Sequence, residues 1–185
     1  MKSLKKLKYI VILFITVITV NCSRADEDED VLSQEDISNV ILTIKDDATG
    51  ITNTYNYTVN STTNPRINLT DGKTYTVNAV FLNGNEDETE SIKEAKDEHF
   101  LLFHFQNSNV GVERMDDESS TNTDGIKIGL KTKWTVNKAE NGTNPQFVLT
   151  LVHEPVSVSA GQPGSEFGSA VGGETDAVAT FSISK

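Results

Sequence analysis

The sequence predicts an all-β fold, and three observations carry that prediction. Most segments between residues 37 and 184 alternate apolar and polar residues with a period of two, which is typical of half-buried strands. The segments are short and are separated by the turn residues Asn, Asp, Gly and Pro. The sequence has no long segment with helical periodicity. The pattern favours an antiparallel β-sandwich of seven or eight strands, immunoglobulin-like or fibronectin-like, with an up-and-down β-barrel as the alternative.

The first half of this region contains three clear predicted strands. Residues 37–44 form an apolar, β-branched run, and the turn residues 46–50 end it. Residues 51–59 then alternate, so the two segments are expected to pair as an antiparallel hairpin. The third strand is predicted over residues 74–82, because four of its apolar residues recur at every second position, namely Tyr75, Val77, Ala79 and Phe81.

The second half begins with residues 86–96, which are rich in acids and predict a short exposed helix or an ordered excursion. The remaining strands are predicted from dense or alternating apolar runs, at residues 98–105, 125–136, 146–153 and 175–184. The first of these runs is apolar on both faces, which is typical of a central strand. The intervening residues 106–124 and 161–173 are polar or glycine-rich and are predicted to be loops.

The first 21 residues are expected to be an export signal. Four lysines precede an apolar run of 12 residues, 9–20. As a helix this run would rise only about 18 Å, against about 30 Å for the core of a bilayer, so it predicts export rather than a membrane span. Cys22 follows directly, and the arrangement resembles a bacterial lipoprotein signal, in which the cysteine is acylated and becomes the first residue of the mature chain. Plain secretion is the alternative.

Residues 22–36 are expected to form a flexible acidic tether. They include five consecutive acids, residues 26–30, and runs of like charge repel themselves. An acidic stretch behind an acylated cysteine resembles the surface-export signal of some Gram-negative lipoproteins. The sequence therefore predicts an outer-membrane lipoprotein that is anchored to membrane lipid through Cys22 and displayed at the cell surface. A periplasm-facing position is the alternative.

The charge balance excludes one class of partner. The formal charge of the chain is −11, and removal of residues 1–21, which hold four lysines and no acids, makes it −15. Nucleic acid requires a basic surface, so it is not expected as a partner. The residues after the tether, 37–185, are enough for one folded domain. Because Cys22 is the only cysteine, packing rather than a disulfide must stabilise that domain.

Four short stretches carry a resemblance to a known group of proteins, namely residues 94–100, 129–132, 149–155 and 172–181. Together they resemble small all-β secreted or lipid-anchored bacterial proteins, some of which carry a periplasmic-binding-type label. The resemblance covers the whole mature domain. It implies an all-β lipoprotein, and its motifs specify no catalytic chemistry.

The histidines are the candidates for metal binding or acid–base chemistry. His99 and His104 are five residues apart on one predicted strand and therefore point to opposite faces. His153 ends another predicted strand. If His99 and His153 lie on neighbouring strands, they could form a two-histidine and carboxylate site suited to zinc, copper or iron, with ligands drawn from Glu98, Glu154, Glu174 and Asp176. The alternative is that each histidine hydrogen-bonds the backbone at the end of a strand.

A second candidate site is a calcium loop within the polar stretch. Its alternating acids and amides are Asp116, Glu118, Asn122 and Asp124, and calcium prefers oxygen ligands from a flexible chain. The spacing is not that of an EF-hand, because the Gly at the sixth position and the closing Glu are both missing. A solvated loop is the alternative.

Catalytic motifs give no support for an enzyme. The sequence contains no nucleophile elbow, phosphate-binding loop or dinucleotide fingerprint. The leading expectation is therefore a non-enzymatic, lipid-anchored binding or accessory module that serves an outer-membrane uptake receptor or binds a small ligand. The alternative is a lipoprotein that binds a divalent metal or a metal complex through His99, His153 and nearby carboxylates. A hydrolase with dispersed carboxylates is a third, weaker hypothesis.

Overall fold

The computed structural model describes residues 37–185, so the predicted signal, Cys22 and the predicted tether lie outside the described residues. Thirteen strands, one short α-helix and one 3₁₀-helix are described in this part of the chain. In chain order they are β1 Asn39–Asp46, β2 Thr52–Thr58, β3 Arg66–Asn68, β4 Thr74–Asn83, β5 Glu86–Asp87, α1 Thr89–Glu94, β6 His99–Gln106, β7 Asn109–Arg114, the 3₁₀-helix Glu118–Ser120, β8 Lys131–Lys138, β9 Gln146–His153, β10 Ser157–Ser159, β11 Glu166–Phe167, β12 Ser169–Val171 and β13 Glu174–Ser184.

Two sheets face each other. The first has the order β2-β1-β4-β8-β7, with β5 added to β4, and the second has the order β11-β6-β9-β13-β3. A separate two-stranded sheet joins β10 and β12. The pairings are antiparallel except that β3 runs parallel to β13. The predicted all-β sandwich is therefore confirmed, and the alternative of a single closed up-and-down sheet is wrong.

The core lies between the sheets and is centred on aromatic rings. Trp134 of the first sheet is fully buried and meets Phe105 and Phe147 of the second sheet edge-on, at centroid distances of 5.0 and 4.8 Å. Phe147 also stacks on Phe105 at 4.7 Å. Edge-to-face and offset pairs of this kind contribute about 0.5–1.5 kcal/mol each beyond the area they bury.

The predicted hairpin is present, because β1 pairs antiparallel with β2 in the register that the alternation requires. The acidic segment forms the short helix α1, which the sequence left open as a helix or an excursion. The strands predicted at residues 98–105, 146–153 and 175–184 match β6, β9 and β13 within two residues. Among the described residues, no helix is long and apolar enough to cross a membrane.

Three loop or strand predictions are wrong. Residues 106–124 contain β7, whose weak apolar pattern is stabilised by pairing with β8. Residues 161–173 contain the short strands β11 and β12. The strand predicted over residues 125–136 begins only at Lys131, because the carboxylate of Asp116 accepts the N–H groups of Gly129 and Leu130 at 3.0 and 2.8 Å. The side chain of Asp116 thus accepts hydrogen bonds from backbone N–H groups that would otherwise pair with a neighbouring strand.

Candidate functional site

His99 and His153 lie side by side at one end of the core. His99 begins β6 and His153 ends β9, and the two residues are direct partners across the antiparallel ladder. They share the inward face with Leu101 and Leu151, because side chains two positions apart on a strand point the same way. Their rings are stacked, with centroids 4.8 Å apart and planes 5° from parallel. Both histidines are buried.

A β-bulge brings Asp176 to the same place. On β13, Thr175 is opposite Val152 and Ala177 is opposite Leu151, so Asp176 is an extra residue between two successive pairs. A bulge of this kind redirects the side chain of the inserted residue. The side chain of Asp176 is fully buried against the two histidines.

Each oxygen of Asp176 faces one imidazole ring. Oδ2 lies 3.6 Å from Nε2 of His99, and Oδ1 lies 3.8 Å from Nδ1 of His153. Neither oxygen accepts a hydrogen bond within the described part of the chain. The distances exceed the range of about 2.7–3.2 Å for hydrogen bonds. They lie close to the separation of about 3.4 Å that tetrahedral ligands with bonds of about 2.1 Å would have.

The main chain fixes the orientation of the His99 ring. Its Nδ1 lies 3.0 Å from the carbonyl oxygen of Ala95, just after α1. A carbonyl oxygen only accepts, so Nδ1 carries the proton and donates it. In a neutral ring Nε2 then presents its lone pair toward Asp176. Metal-binding histidines are commonly held by this arrangement, in which the second ring nitrogen donates to a backbone carbonyl.

A second group of potential ligands lies on the other side of His153. Its Nε2 is 3.8 Å from Oε2 of Glu98, and Glu154 provides a further carboxylate. The backbone holds the two glutamates together, because the N–H of Glu154 donates to the carbonyl of Glu98 at 2.6 Å. Within each of the two groups, one ligand atom per residue can be chosen so that all three lie within 4.8 Å of one another.

An acidic cleft of about 290 Å³ opens beside His99. Its lining includes Asp97 and Asp124, and no lysine or arginine of residues 37–185 lines it. The backbone N–H of Thr123 donates to Asp97 and is the main cause that lowers the pKa of that carboxyl, which keeps it ionised. The cleft therefore attracts cations and repels anions.

The predicted metal ligands are distributed as follows. The structure brings His99, His153 and Asp176 together, with Glu98 and Glu154 next to His153. Glu174 is the ladder partner of His153, but it is exposed and belongs to neither ligand group. The carbonyl of Ala95 has no sequence signal, because a backbone acceptor can come from any residue type.

Two of the predicted calcium-loop residues, Asp116 and Asn122, use their side-chain oxygens to accept backbone N–H groups. Asp116 is buried and binds backbone N–H groups, and burial raises the pKa of its carboxyl despite those bonds. The side-chain oxygen of Asn122 accepts the N–H groups of Asp124 and Ile126. Among the described residues, this loop provides no group of three clustered acids or histidines. The calcium loop stays a prediction that this geometry does not favour.

Comparison of the chain with protein-family models, with curated proteins and with solved structures finds no match. The resemblance to small all-β bacterial lipoproteins therefore stays a prediction, as do the lipid anchor and the cell-surface location.

Proposed function

We propose that this chain is a lipid-anchored, non-enzymatic binding protein for a divalent transition-metal cation. His99, His153 and Asp176 hold the cation at the end of the β-sandwich. The observation that carries the proposal is the carboxylate of Asp176, which is fully buried, lacks a hydrogen-bond donor among the described residues and faces a ring nitrogen of each histidine.

A cation resolves the electrostatics of this cluster. A buried carboxylate without a hydrogen-bond donor is costly. Nδ1 of His99 is bound to the carbonyl of Ala95, so Nε2 is the ring nitrogen that faces the carboxylate. A metal ion between these groups binds the lone pairs of both rings and the negative charge at once. Since the two rings are parallel, they must tilt toward each other when the ion binds.

The donor set indicates which metals fit. Two imidazoles with a carboxylate suit zinc, copper or iron, whereas calcium and magnesium prefer sites made of oxygen ligands. The acidic cleft favours entry of the hydrated cation over an anionic chelate. The site therefore supports binding of the free metal ion rather than of a negatively charged metal complex.

Titration of the chelator-treated protein with Zn²⁺ in a calorimeter tests this proposal. Binding should be tight in the natural protein and at least 100-fold weaker in Asp176→Asn, which keeps the size of the side chain but removes its charge. Glu166→Gln is the matched control, because Glu166 is an exposed acid of the same sheet outside both ligand groups. Absence of Zn²⁺ and Cu²⁺ binding, or equal binding by Asp176→Asn, would contradict the proposal.

The location is tested separately. Mass spectrometry of the membrane fraction should find a mature chain that begins at an acylated Cys22. The Cys22→Ser variant should lack the lipid and leave the membrane fraction. An unlipidated chain, or a mature chain that starts elsewhere, would remove the anchor from the proposal and leave the metal site unaffected. The broader expectation that the protein is an accessory to an outer-membrane uptake receptor stays a prediction.

A further inference from the structure

The imidazole ring of His153 faces a carboxylate at each of its two nitrogens. Nδ1 lies 3.8 Å from Oδ1 of Asp176, and Nε2 lies 3.8 Å from Oε2 of Glu98. The ring therefore belongs to both ligand groups, the inner one with His99 and Asp176 and the outer one with Glu98 and Glu154.

The outer group has the properties of a ligand set. Oε2 of Glu98 is buried and accepts no hydrogen bond from any residue that the structure describes. Glu154 adopts a left-handed backbone conformation, with φ of 47°, and its N–H is held by the carbonyl of Glu98. The carboxylate of Glu98 thus faces Nε2, the ring nitrogen of His153 that is turned away from Asp176, and the carboxylate of Glu154 lies within 4.8 Å of the ligand atoms of both residues.

We infer that the site takes two divalent transition-metal ions, bridged by the ring of His153. This inference rests on the proposed function, because the inner ion is the one proposed above. The inner ion binds Nδ1 of His153, and the outer ion binds Nε2. A neutral imidazole carries one N–H proton, so binding of the second ion releases that proton to water and leaves an imidazolate between the two metals.

The charges of such a centre balance. Two divalent cations bring four positive charges. Asp176, Glu98 and Glu154 bring one negative charge each, and the imidazolate of His153 brings the fourth. A neutral assembly avoids the large cost of net charge at a half-buried site. With one ion and a neutral His153, the same groups would keep one uncompensated negative charge.

Titration of the chelator-treated mature protein with Cu²⁺, followed by electron paramagnetic resonance, tests the bridge. The first equivalent should give a mononuclear Cu²⁺ signal. The second should reduce the integrated signal well below that of the first, because an imidazolate couples the two unpaired spins. Glu98→Gln and Glu154→Gln should each lower the stoichiometry from two ions to one and keep the mononuclear signal. Glu166→Gln should still bind two ions.

The possible results separate this inference from the proposed function. A stoichiometry of one that is lost in Asp176→Asn overturns the second ion and leaves the proposed function intact. Two ions whose signals simply add overturn the bridge, as does an unchanged stoichiometry in both glutamate variants. No binding of Cu²⁺ or Zn²⁺ at any stoichiometry overturns both proposals.

Discussion

The guanidinium of Arg114 donates a hydrogen bond to the carbonyl oxygen of Leu101, at 2.6 Å, and so connects the two sheets of the sandwich. Arg114 ends β7 at the edge of the first sheet, whereas Leu101 lies in β6 of the second. The same guanidinium donates to the carbonyl of Ile128 and lies 4.2 Å above the ring of Phe100. Burial lowers the pKa of Arg114 to about 10, so the side chain is still a cation at neutral pH.

Replacement of this arginine should destabilise the domain. Arg114→Met leaves the buried carbonyl of Leu101 without this donor, whereas the carbonyl of Ile128 still accepts the N–H of Leu101. An unsatisfied buried acceptor costs about 1–3 kcal/mol. We therefore expect the free energy of unfolding, measured in urea, to fall by about 1–3 kcal/mol. Arg66→Met, at an exposed arginine of β3, is the control and should change stability by less than about 0.5 kcal/mol. Equal effects of the two substitutions would show that the contact between sheets contributes little.

Asp176→Asn should separate metal binding from a simple ion pair. If the carboxylate is held for a cation, the metal-free variant should be at least as stable as the natural protein, because a buried charge without a hydrogen-bond donor has been removed. Zn²⁺ at about 100 times its Kd should add about 2.7 kcal/mol to the natural protein, or roughly 5–10 °C in Tm. It should add at most about 0.4 kcal/mol to the variant, whose affinity is expected to be at least 100-fold weaker. A metal-free variant that is clearly less stable would instead indicate an imidazolium–carboxylate pair.

Gly173 controls the path of the chain beside His153. Its φ is +79°, and a Cβ there would lie 2.5 Å from the carbonyl oxygen of His153 and 3.0 Å from Pro155, both backbone contacts. Gly173→Ala should therefore cost more than the roughly 1–2 kcal/mol of a left-handed alanine, and it should weaken Zn²⁺ binding by displacing His153. Gly84→Ala is the matched control, with φ of +60° and open space around it. It should lower stability alone, as measured by urea unfolding and calorimetry.

Acidification should destabilise the domain partly through Asp46. Lys73 donates a hydrogen bond to its carboxylate at 2.5 Å, and this is the main cause that lowers the pKa of Asp46 below 3.8. A carboxyl whose pKa is lower in the folded state stabilises that state above its unfolded pKa. The contribution is then lost as pH falls through the folded pKa. Asp46→Asn should flatten the fall of the free energy of urea unfolding below pH 4.

The fold class could be predicted from the sequence because the core strands have regular patterns of apolar residues. The alternation of β4 and the dense run of β6 are local signals that require no knowledge of their partners. β7 was missed because among its six residues only Val110 is buried. The start of β8 was misplaced because the alternation from Ile126 to Leu130 does not reveal that Asp116, more than ten residues earlier, binds the intervening backbone.

Only part of the candidate site could be predicted from the sequence. Neighbouring positions for His99 and His153 followed once β6 and β9 were assumed to pair. The choice among four carboxylates did not follow, because a regular strand would point Asp176 away from the face of Ala177. The bulge that turns it inward leaves no reliable mark in the sequence, since an extra residue in a ladder depends on the partner strand.

The bulge at Asp176 also divides β13 into two segments of different phase. Beyond it, Ala177, Ala179, Phe181 and Ile183 are buried in the core, and that phase is set by pairing with β9. Loss of one residue at the bulge would leave the buried segment from Ala177 onward in place. The segment before the bulge would shift by one residue, so its side chains would point to the opposite face of the sheet. Evolution could thus exchange or erase the ligand from this strand by a single insertion or deletion, without any change to the residues that stabilise the domain.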